Sequence, residues 1–325
     1  MRRLRLLILA VADRCDQRCL HCQIWMGPRN GRTSLTLSER LVVVDEALAA
    51  GCREALLTGG EPLLSSDLWP IAERLRAGGV RLMLATNGML LDAHAAKVTA
   101  LFHEVYVSLD GASPLTHDGL RGVPALERVR AGVAALKRCS DSMKIIARST
   151  LHAGNLAEIE AIAVVARGMG FDHVSFLPID ASSDAFGGAP QTRRALIPTA
   201  GQIETFEATI ARMAAAGACR DGFVLESPAK LRRLARHLRA SGAAAPFEAP
   251  ECDAPWWSSV VEADGSVRPC FFHAPVGDVR EGLLGLRAGD RYQKALAAIR
   301  RPNDTCARCV CPKKRETSWL RRLTA

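Results

Sequence analysis

Six short runs rich in Val, Ile and Leu recur through the first part of the chain, and most are followed by a longer stretch whose apolar residues repeat at helical spacing. The runs are Leu4 to Ala12, Glu54 to Thr58, Val80 to Thr86, Glu104 to Leu109, Lys144 to Thr150 and His173 to Leu177. This βα alternation predicts an α/β fold with a parallel sheet, because neighbouring parallel strands need a crossover long enough to hold a helix. Right-handed crossovers lay successive strands side by side, so six units predict a partial (β/α)6 TIM-like barrel with its function at the strands' C-terminal ends. One helix opens at Thr36 or Ser38, either of which can cap it, and sets Leu41, Val44 and Leu48 on one face. Another places Leu156, Ile159, Ile162, Ala163 and Ala166 at helical spacing and ends at Gly168 and Gly170.

After about Ala181 the texture changes. Gly187, Gly188, Pro190 and Pro198 mark a linker, a helix spans about Ala200 to Ala216, and Lys230 to Arg239 pairs an apolar stripe with a basic face. A hairpin follows: Ser259 to Ala263, a turn at Asp264-Gly265, then Val267 to Cys270. The expected organisation is a barrel core over 1–225, a helical linker over 226–251 and a small β-hairpin plus helix unit over 252–325.

Hydrophobic residues make 48% and charged residues 24% of the 325 positions, which excludes a disordered, collagen-like or coiled-coil chain. No apolar run approaches the roughly 18 to 20 residues of a membrane-spanning helix, so no membrane is expected. Arg2, Arg3 and Arg5 before Leu6 to Val11 imitate a secretory signal, but the run is short and ends in Asp13 and Arg14 instead of a small-residue cleavage site. The expectation is a soluble, cytoplasmic protein. The net charge of +9 is compatible with an acidic partner, yet no nucleic-acid recognition motif or aromatic stacking platform accompanies it, and nucleic acid is not expected.

Eleven cysteines are many for a cytosolic chain, and an odd count without a secretion signal argues against a disulfide framework. Cys52, Cys139 and Cys219 stand alone in apolar surroundings and read as small buried hydrophobes. Cys15, Cys19 and Cys22 form a tight group in the loop after the first run. Three thiolates from one loop can hold three irons of a cubane cluster and leave the fourth open. Structural zinc is the alternative; it wants four closed ligands, and the extra partner nearby is His21.

With Gly59-Gly60-Glu61-Pro62 ending the second run and His21 preceding the last cysteine of the loop, the sequence resembles the radical S-adenosylmethionine (SAM) superfamily. The resemblance implies that Cys15, Cys19 and Cys22 carry a 4Fe–4S cluster whose open iron binds SAM, and that the Gly60 and Glu61 region binds the SAM amino group. Thr86-Asn87-Gly88 and Ser108-Leu109-Asp110-Gly111 look like segments lining the SAM site. There Ser108 would meet a ribose hydroxyl or the SAM carboxylate, and Arg148 resembles a position that pairs with that carboxylate. The cofactor does the hard chemistry: a reduced cluster cleaves SAM to a 5′-deoxyadenosyl radical that takes a substrate hydrogen, sheltered from water by the barrel.

Cys252 and Cys270 around the hairpin, followed by Cys306 and Cys309, resemble the auxiliary-cluster appendage called SPASM or, in short form, Twitch. Four thiolates can close around a second 4Fe–4S cluster or around zinc. Full SPASM domains carry further cysteines for a third cluster, whereas here Cys311 alone follows, so two clusters are expected, with Cys309 or Cys311 as the fourth auxiliary ligand. The resemblance implies an oxidoreductase that abstracts a hydrogen and carries out a net oxidation or crosslink in a biosynthetic or peptide-maturation pathway, with the auxiliary cluster as electron acceptor. Its partners would be a small-molecule or peptide substrate and a reducing protein such as flavodoxin or ferredoxin. Peptide-modifying relatives often carry an N-terminal leader-gripping module, and this sequence opens at the first strand. A redox-neutral epimerisation or rearrangement and a non-catalytic iron–sulfur or zinc module are the alternatives. Asp180 and His152 are the candidates for a general base.

Overall fold

The computed structural model describes residues 3–27, 33–187, 190–242, 245–300 and 302–313. Six parallel strands form its centre: β1 (Leu6–Ala12), β2 (Glu54–Gly59), β3 (Arg81–Thr86), β4 (Glu104–Ser108), β5 (Lys144–Leu151) and β6 (His173–Pro178). They pair in chain order, as right-handed βα units require. All six lie within two residues of the runs read from the sequence. β1 starts at Leu6 and not Leu4 because the amides of Arg5 and Leu6 both turn to the Trp257 carbonyl, at 2.7 and 3.2 Å.

The helices of the barrel are α1 (Leu37–Ala49), α2 (Leu68–Ala77), α3 (Leu91–Leu101), α4 (Pro114–Arg121), α5 (Leu126–Cys139) and α6 (Ile159–Gly168). Thr36 caps α1: its hydroxyl accepts from the Glu39 amide at 3.3 Å, and the Glu39 carboxylate accepts from the Thr36 amide at 2.7 Å. Ser38 lies inside the helix. The turn Leu156–Glu158 is 3₁₀ before α6 begins. Alternation along each strand divides the core in two. Leu7, Leu9, Leu57, Leu84 and Val107 face the helices, whereas Leu6, Met83 and Trp257 pack with Ile8, Leu56 and Tyr106 on the concave face. Of the isolated cysteines, Cys52 is buried, but Cys219 is half-buried and Cys139 is exposed, because it falls at the solvent side of the last turn of α5.

Two helices follow the barrel, α7 (Ala200–Ala215) and α8 (Pro228–Ser241), the latter capped by Ser227. The basic face of α8 meets acidic neighbours: Arg236 pairs with Glu248 at 3.0 Å and Arg239 with Glu207 at 2.9 Å. The hairpin is then built from β7 (Ser258–Val261) and β8 (Ser266–Arg268), with β9 (Gly277–Asp278) beside it. Gly265 turns it with φ +89°, which a side chain would resist. The hairpin does not stand apart, since β7 pairs in parallel with β1, from Leu6 opposite Ser258 to Leu9 opposite Val261, on the edge away from β2. One nine-stranded sheet results. The short helices α9 (Leu283–Ala288), α10 (Asp290–Ile299) and α11 (Asp304–Ala307) complete the C-terminal part. Arg287 from α9 donates to the Ser258 carbonyl at 2.9 Å, and the Tyr292 hydroxyl from α10 meets Ser259 at 2.9 Å, which locks β7 in place. Among the described residues no helix is long and apolar enough to cross a membrane.

Candidate active site

The loop after β1 carries Cys15, Cys19 and Cys22, and backbone contacts from several units fix its course. The Gly60 amide donates to the Ala12 carbonyl at 2.9 Å and the Glu61 amide to the Arg14 carbonyl at 2.8 Å. Glycine is required for this approach: a Cβ at residue 60 would stand 2.5 Å from the Arg14 carbonyl carbon, and one at residue 59, where φ is +132°, 2.9 Å from the Ala12 nitrogen. The amides of Arg18 and Leu20 then donate to the carbonyls of Arg121 and Leu120 at the end of α4, each at 3.0 Å. Gly122 leaves α4 with φ +71°, and a Cβ there would lie 2.6 Å from the Arg18 carbonyl oxygen. Finally, the Gln23 amide donates to the Phe186 carbonyl at 2.8 Å, in the loop after β6.

Glu61 is fully buried after β2. One carboxylate oxygen accepts from the Leu63 amide at 3.0 Å and the Thr86 hydroxyl at 2.8 Å, and the other accepts from the Asn87 amide at 2.7 Å. The carboxylate therefore ties the Pro62 turn to the end of β3. Burial pushes its pKa up to about 7 against those donors. The Asn87 side-chain amide reaches back to Asp16 at 2.6 Å and to the Cys15 sulfur at 3.6 Å. Burial also lifts the thiols of Cys15 to about 12 and Cys22 to about 11.

Asp110, after β4, is fully buried and forms an ion pair with Arg121. Its second oxygen accepts from the Thr150 amide at 2.6 Å, and its own amide donates to His117 Nδ1 at 3.0 Å. Its carboxylate thus serves this internal network. Arg121 turns its other terminal nitrogen to the Cys19 sulfur at 3.7 Å and to Gln17 at 3.4 Å. His21 lies in the same neighbourhood; burial, with Arg121 next, lowers its pKa to about 4, and its Nδ1 has no partner among the described residues. Ser108 and Arg148 sit opposite each other on β4 and β5. Arg148 stacks over Tyr106 at 5.1 Å and donates to Ser175 at 3.0 Å, and Ser175 in turn donates to the buried Glu226 at 2.9 Å.

The two base candidates differ in their surroundings. Asp180 accepts from the Ser182 amide and hydroxyl, each at 2.9 Å, and from Ser183, so its carboxylate shapes its own turn. His152 accepts from the Gly154 amide at 3.0 Å, while its Nε2 is buried without a partner among the described residues. Arg121, Gln17, Asp16 and Phe186 were not singled out by the sequence; a lone Arg at a helix end carries no signal until the helix is placed.

The second cysteine group surrounds a cavity of about 490 Å³ lined by Cys252, Cys270, Cys306 and Cys309 together with Phe272 and His273. The β7–β8 ladder ends before Cys270 and leaves it in a turn, and the amides of Cys306 and Lys313 are directed to Asn303 at 2.8 Å and to the Cys252 sulfur at 3.4 Å. His273 Nε2 lies 3.4 Å from the Cys306 sulfur. Cys311 is exposed and does not line the cavity, although a hydrogen bond between its thiol and that of Cys309, with burial, raises the Cys309 pKa. Phe186 bridges the two groups: its carbonyl holds the first loop, while its ring packs on Phe271 at 5.6 Å and on Phe272 at 6.4 Å. The thiol-rich donor set suits iron–sulfur centres. Sulfurs spread around a cavity of this size fit a polynuclear cluster better than one ion, and among the described residues no three His, Cys, Asp or Glu side chains gather as a single metal ion needs.

A partial TIM-like barrel with a three-thiol loop at its first strand and a second thiol pocket beside it defines an iron–sulfur protein of the SAM-cleaving architecture. Residues 9–163 match the model of the Radical SAM superfamily and residues 252–310 that of SPASM, an iron-sulfur cluster-binding domain. The chain belongs to the radical SAM superfamily and ends in a SPASM domain; as such it binds a 4Fe–4S cluster with SAM and carries auxiliary iron–sulfur chemistry. It is similar to the AdoMet-dependent heme synthase of Methanosarcina barkeri, 34% identical over 178 residues that make up 53% of this chain and 50% of that protein. The chain spans about half the length of the curated relatives it matches. In fold it resembles SuiB of Streptococcus suis bound to the precursor peptide SuiA, with TM-score 0.67 and 14% identity over 96% of this chain and 72% of that one. It also resembles anSMEcpe with bound AdoMet, with TM-score 0.65 and 16% identity over 94% and 83%.

Proposed function

We propose that this enzyme abstracts a carbon-bound hydrogen from a peptide or small-molecule substrate and completes a net oxidation or crosslink, with the C-terminal cluster accepting the electron. The observation that carries the reading is the pocket lined by Cys252, Cys270, Cys306 and Cys309, joined through Phe186 and Phe271 to the loop of Cys15, Cys19 and Cys22. SAM bound at the first cluster supplies the 5′-deoxyadenosyl radical, and a fully liganded second cluster supplies an acceptor for the electron left when the substrate radical loses a proton. In this reading Cys15, Cys19 and Cys22 hold the first cluster, and the glycine turn at Gly59 and Gly60 leaves its backbone close to the loop for the SAM amino group. Ser108 and Arg148, on the upper concave face, meet the ribose or carboxylate of SAM. The half-buried rings of Phe186 and Phe271 form the apolar wall against which substrate lies and from which water is kept. A reducing protein delivers the electron that starts each cycle.

The test is anaerobic reconstitution followed by dithionite and SAM. The parent chain should release 5′-deoxyadenosine and methionine and hold about eight irons, two cubanes' worth. Cys22→Ala should lose SAM cleavage. Cys270→Ala should lose about four irons yet still cleave SAM. No 5′-deoxyadenosine from the iron-loaded parent chain would overturn the catalytic reading, and abolition of cleavage by Cys270→Ala would overturn the division of labour between the two sites.

A further inference from the structure

We infer that the buried Asp110–Arg121 pair is a positioning device that sets the potential at which the SAM-binding cluster accepts its electron. The inference rests on the assignment of Cys19 to that cluster. The two side chains are 0% and 8% exposed, so water screens them little. The order of charges is what matters: sulfur of Cys19, guanidinium of Arg121, carboxylate of Asp110. Arg121 presents one terminal nitrogen to the sulfur at 3.7 Å and the other to Asp110, and its backbone carbonyl accepts from the Arg18 amide in the same loop at 3.0 Å. The cation is therefore fixed on the sulfur side by both side chain and backbone, and the anion lies behind it.

A second buried cation, Arg193, bears on Cys22 and His21, and it is common to every variant compared below. His117 accepts at Nδ1 from the Asp110 amide, and burial lowers its pKa to about 4. Asp110 cannot swing away, because the Thr150 amide and the Asn155 side chain, which donates to the Asp110 carbonyl at 2.8 Å, hold it from two sides. Adding an electron to a cluster makes it more negative. A donor and cation on a ligand sulfur favours the reduced form and raises the potential, and a carboxylate behind it opposes that effect. The pair thus lets the chain place a donor on the sulfur without the full upward shift that an unpaired guanidinium would cause.

The experiment is an EPR-monitored redox titration of the reconstituted full chain, reading the cluster signal that changes when SAM is added, with iron counted for every variant. Arg121→Gln should shift the midpoint down, Asp110→Asn should shift it up, and the double variant should lie between the two singles. Arg121→Lys should return the midpoint toward the parent value. A residue that only props up the loop would shift both single variants the same way or not at all, and either result at full iron content overturns the inference. If Arg121→Gln and Asp110→Asn fail to take up iron, the double variant and Arg121→Lys decide: a midpoint lower in the double variant than in Arg121→Lys sustains the inference, because Lys alone keeps a cation beside the sulfur, and equal midpoints or failure of both to take up iron overturn it. A parent chain that forms no SAM-responsive cluster fails the underlying assignment instead.

Discussion

Replacing Gly60 by Ala adds one methyl group at the place where the second motif touches the cysteine loop. That carbon would stand 2.5 Å from the Arg14 carbonyl carbon and closer still to its oxygen, where ordinary contact begins near 3.4 Å. Both neighbours are backbone, so no side chain can turn aside, and the two segments must part by roughly 1 Å. Such a step breaks the Gly60-to-Ala12 and Glu61-to-Arg14 hydrogen bonds, now 2.9 and 2.8 Å long. Each lost bond costs about 1 kcal/mol net, and about 2 kcal/mol if its partners stay dry, which gives a total of about 2–4 kcal/mol. The same movement displaces Cys15, the residue after Arg14. The assay is urea unfolding of the reduced, cluster-free chain beside iron uptake. Gly201→Ala serves as the control, since a Cβ there meets nothing within 4 Å. Gly60→Ala should unfold earlier and take up less iron, and Gly201→Ala should be neutral or slightly stabilising, as an alanine in a helix is. If Gly60→Ala unfolds with its control and binds the same iron, the close approach is not what places Cys15.

Two further outcomes are expected. Cys309→Ala should lose the auxiliary cluster's iron whereas Cys311→Ala should keep it, because Cys309 lines the cavity and Cys311 is exposed; the reverse pattern in an iron count would exchange their roles. Glu61, with a folded pKa of about 7 against an ordinary 4.5, binds more protons folded than unfolded between those values, so its contribution falls as pH rises through that window. Measured by urea unfolding between pH 5 and 8, the parent chain should lose up to about 3 kcal/mol that Glu61→Gln does not lose, and parallel curves would count against a strained buried carboxylate.

Local features were legible. Runs of Val, Ile and Leu mark the barrel strands because β1, β3, β5 and β6 are buried along most of their length, while β2 and β4 alternate buried and half-buried positions, and either pattern needs no partner to be seen. The Thr36 cap, the Asp264-Gly265 turn and the Gly59-Gly60 approach are likewise written within a few residues. What escaped the sequence is what the fold assembles from distant pieces. Asp110 looks like a strand-end residue facing a cofactor until α4 brings Arg121 onto it, and then its carboxylate belongs to an internal pair. Glu61 looks like a free carboxylate until the end of β3 supplies two of its donors. The hairpin after Cys252 looks self-contained, yet β7 pairs with β1 across most of the chain's length, and no local pattern encodes which edge it takes.

That pairing gives the two cysteine groups a common frame. β1 leads directly into the loop of Cys15, and its free edge is occupied by β7, which the turn at Cys252 precedes and the strand toward Cys270 follows. Each cysteine of the first loop is then held by a different unit: Cys15 through the glycine turn after β2 and Asn87 after β3, Cys19 through the end of α4, and the backbone after Cys22 through Phe186 after β6. Three sulfurs spaced by a short flexible loop would otherwise sample many separations, and closing them on one cluster would carry the ordering entropy of the whole loop. Here contacts from four units of the barrel restrict those separations, so the affinity of the three thiols for a cluster draws on the assembled sheet and not on the loop sequence by itself.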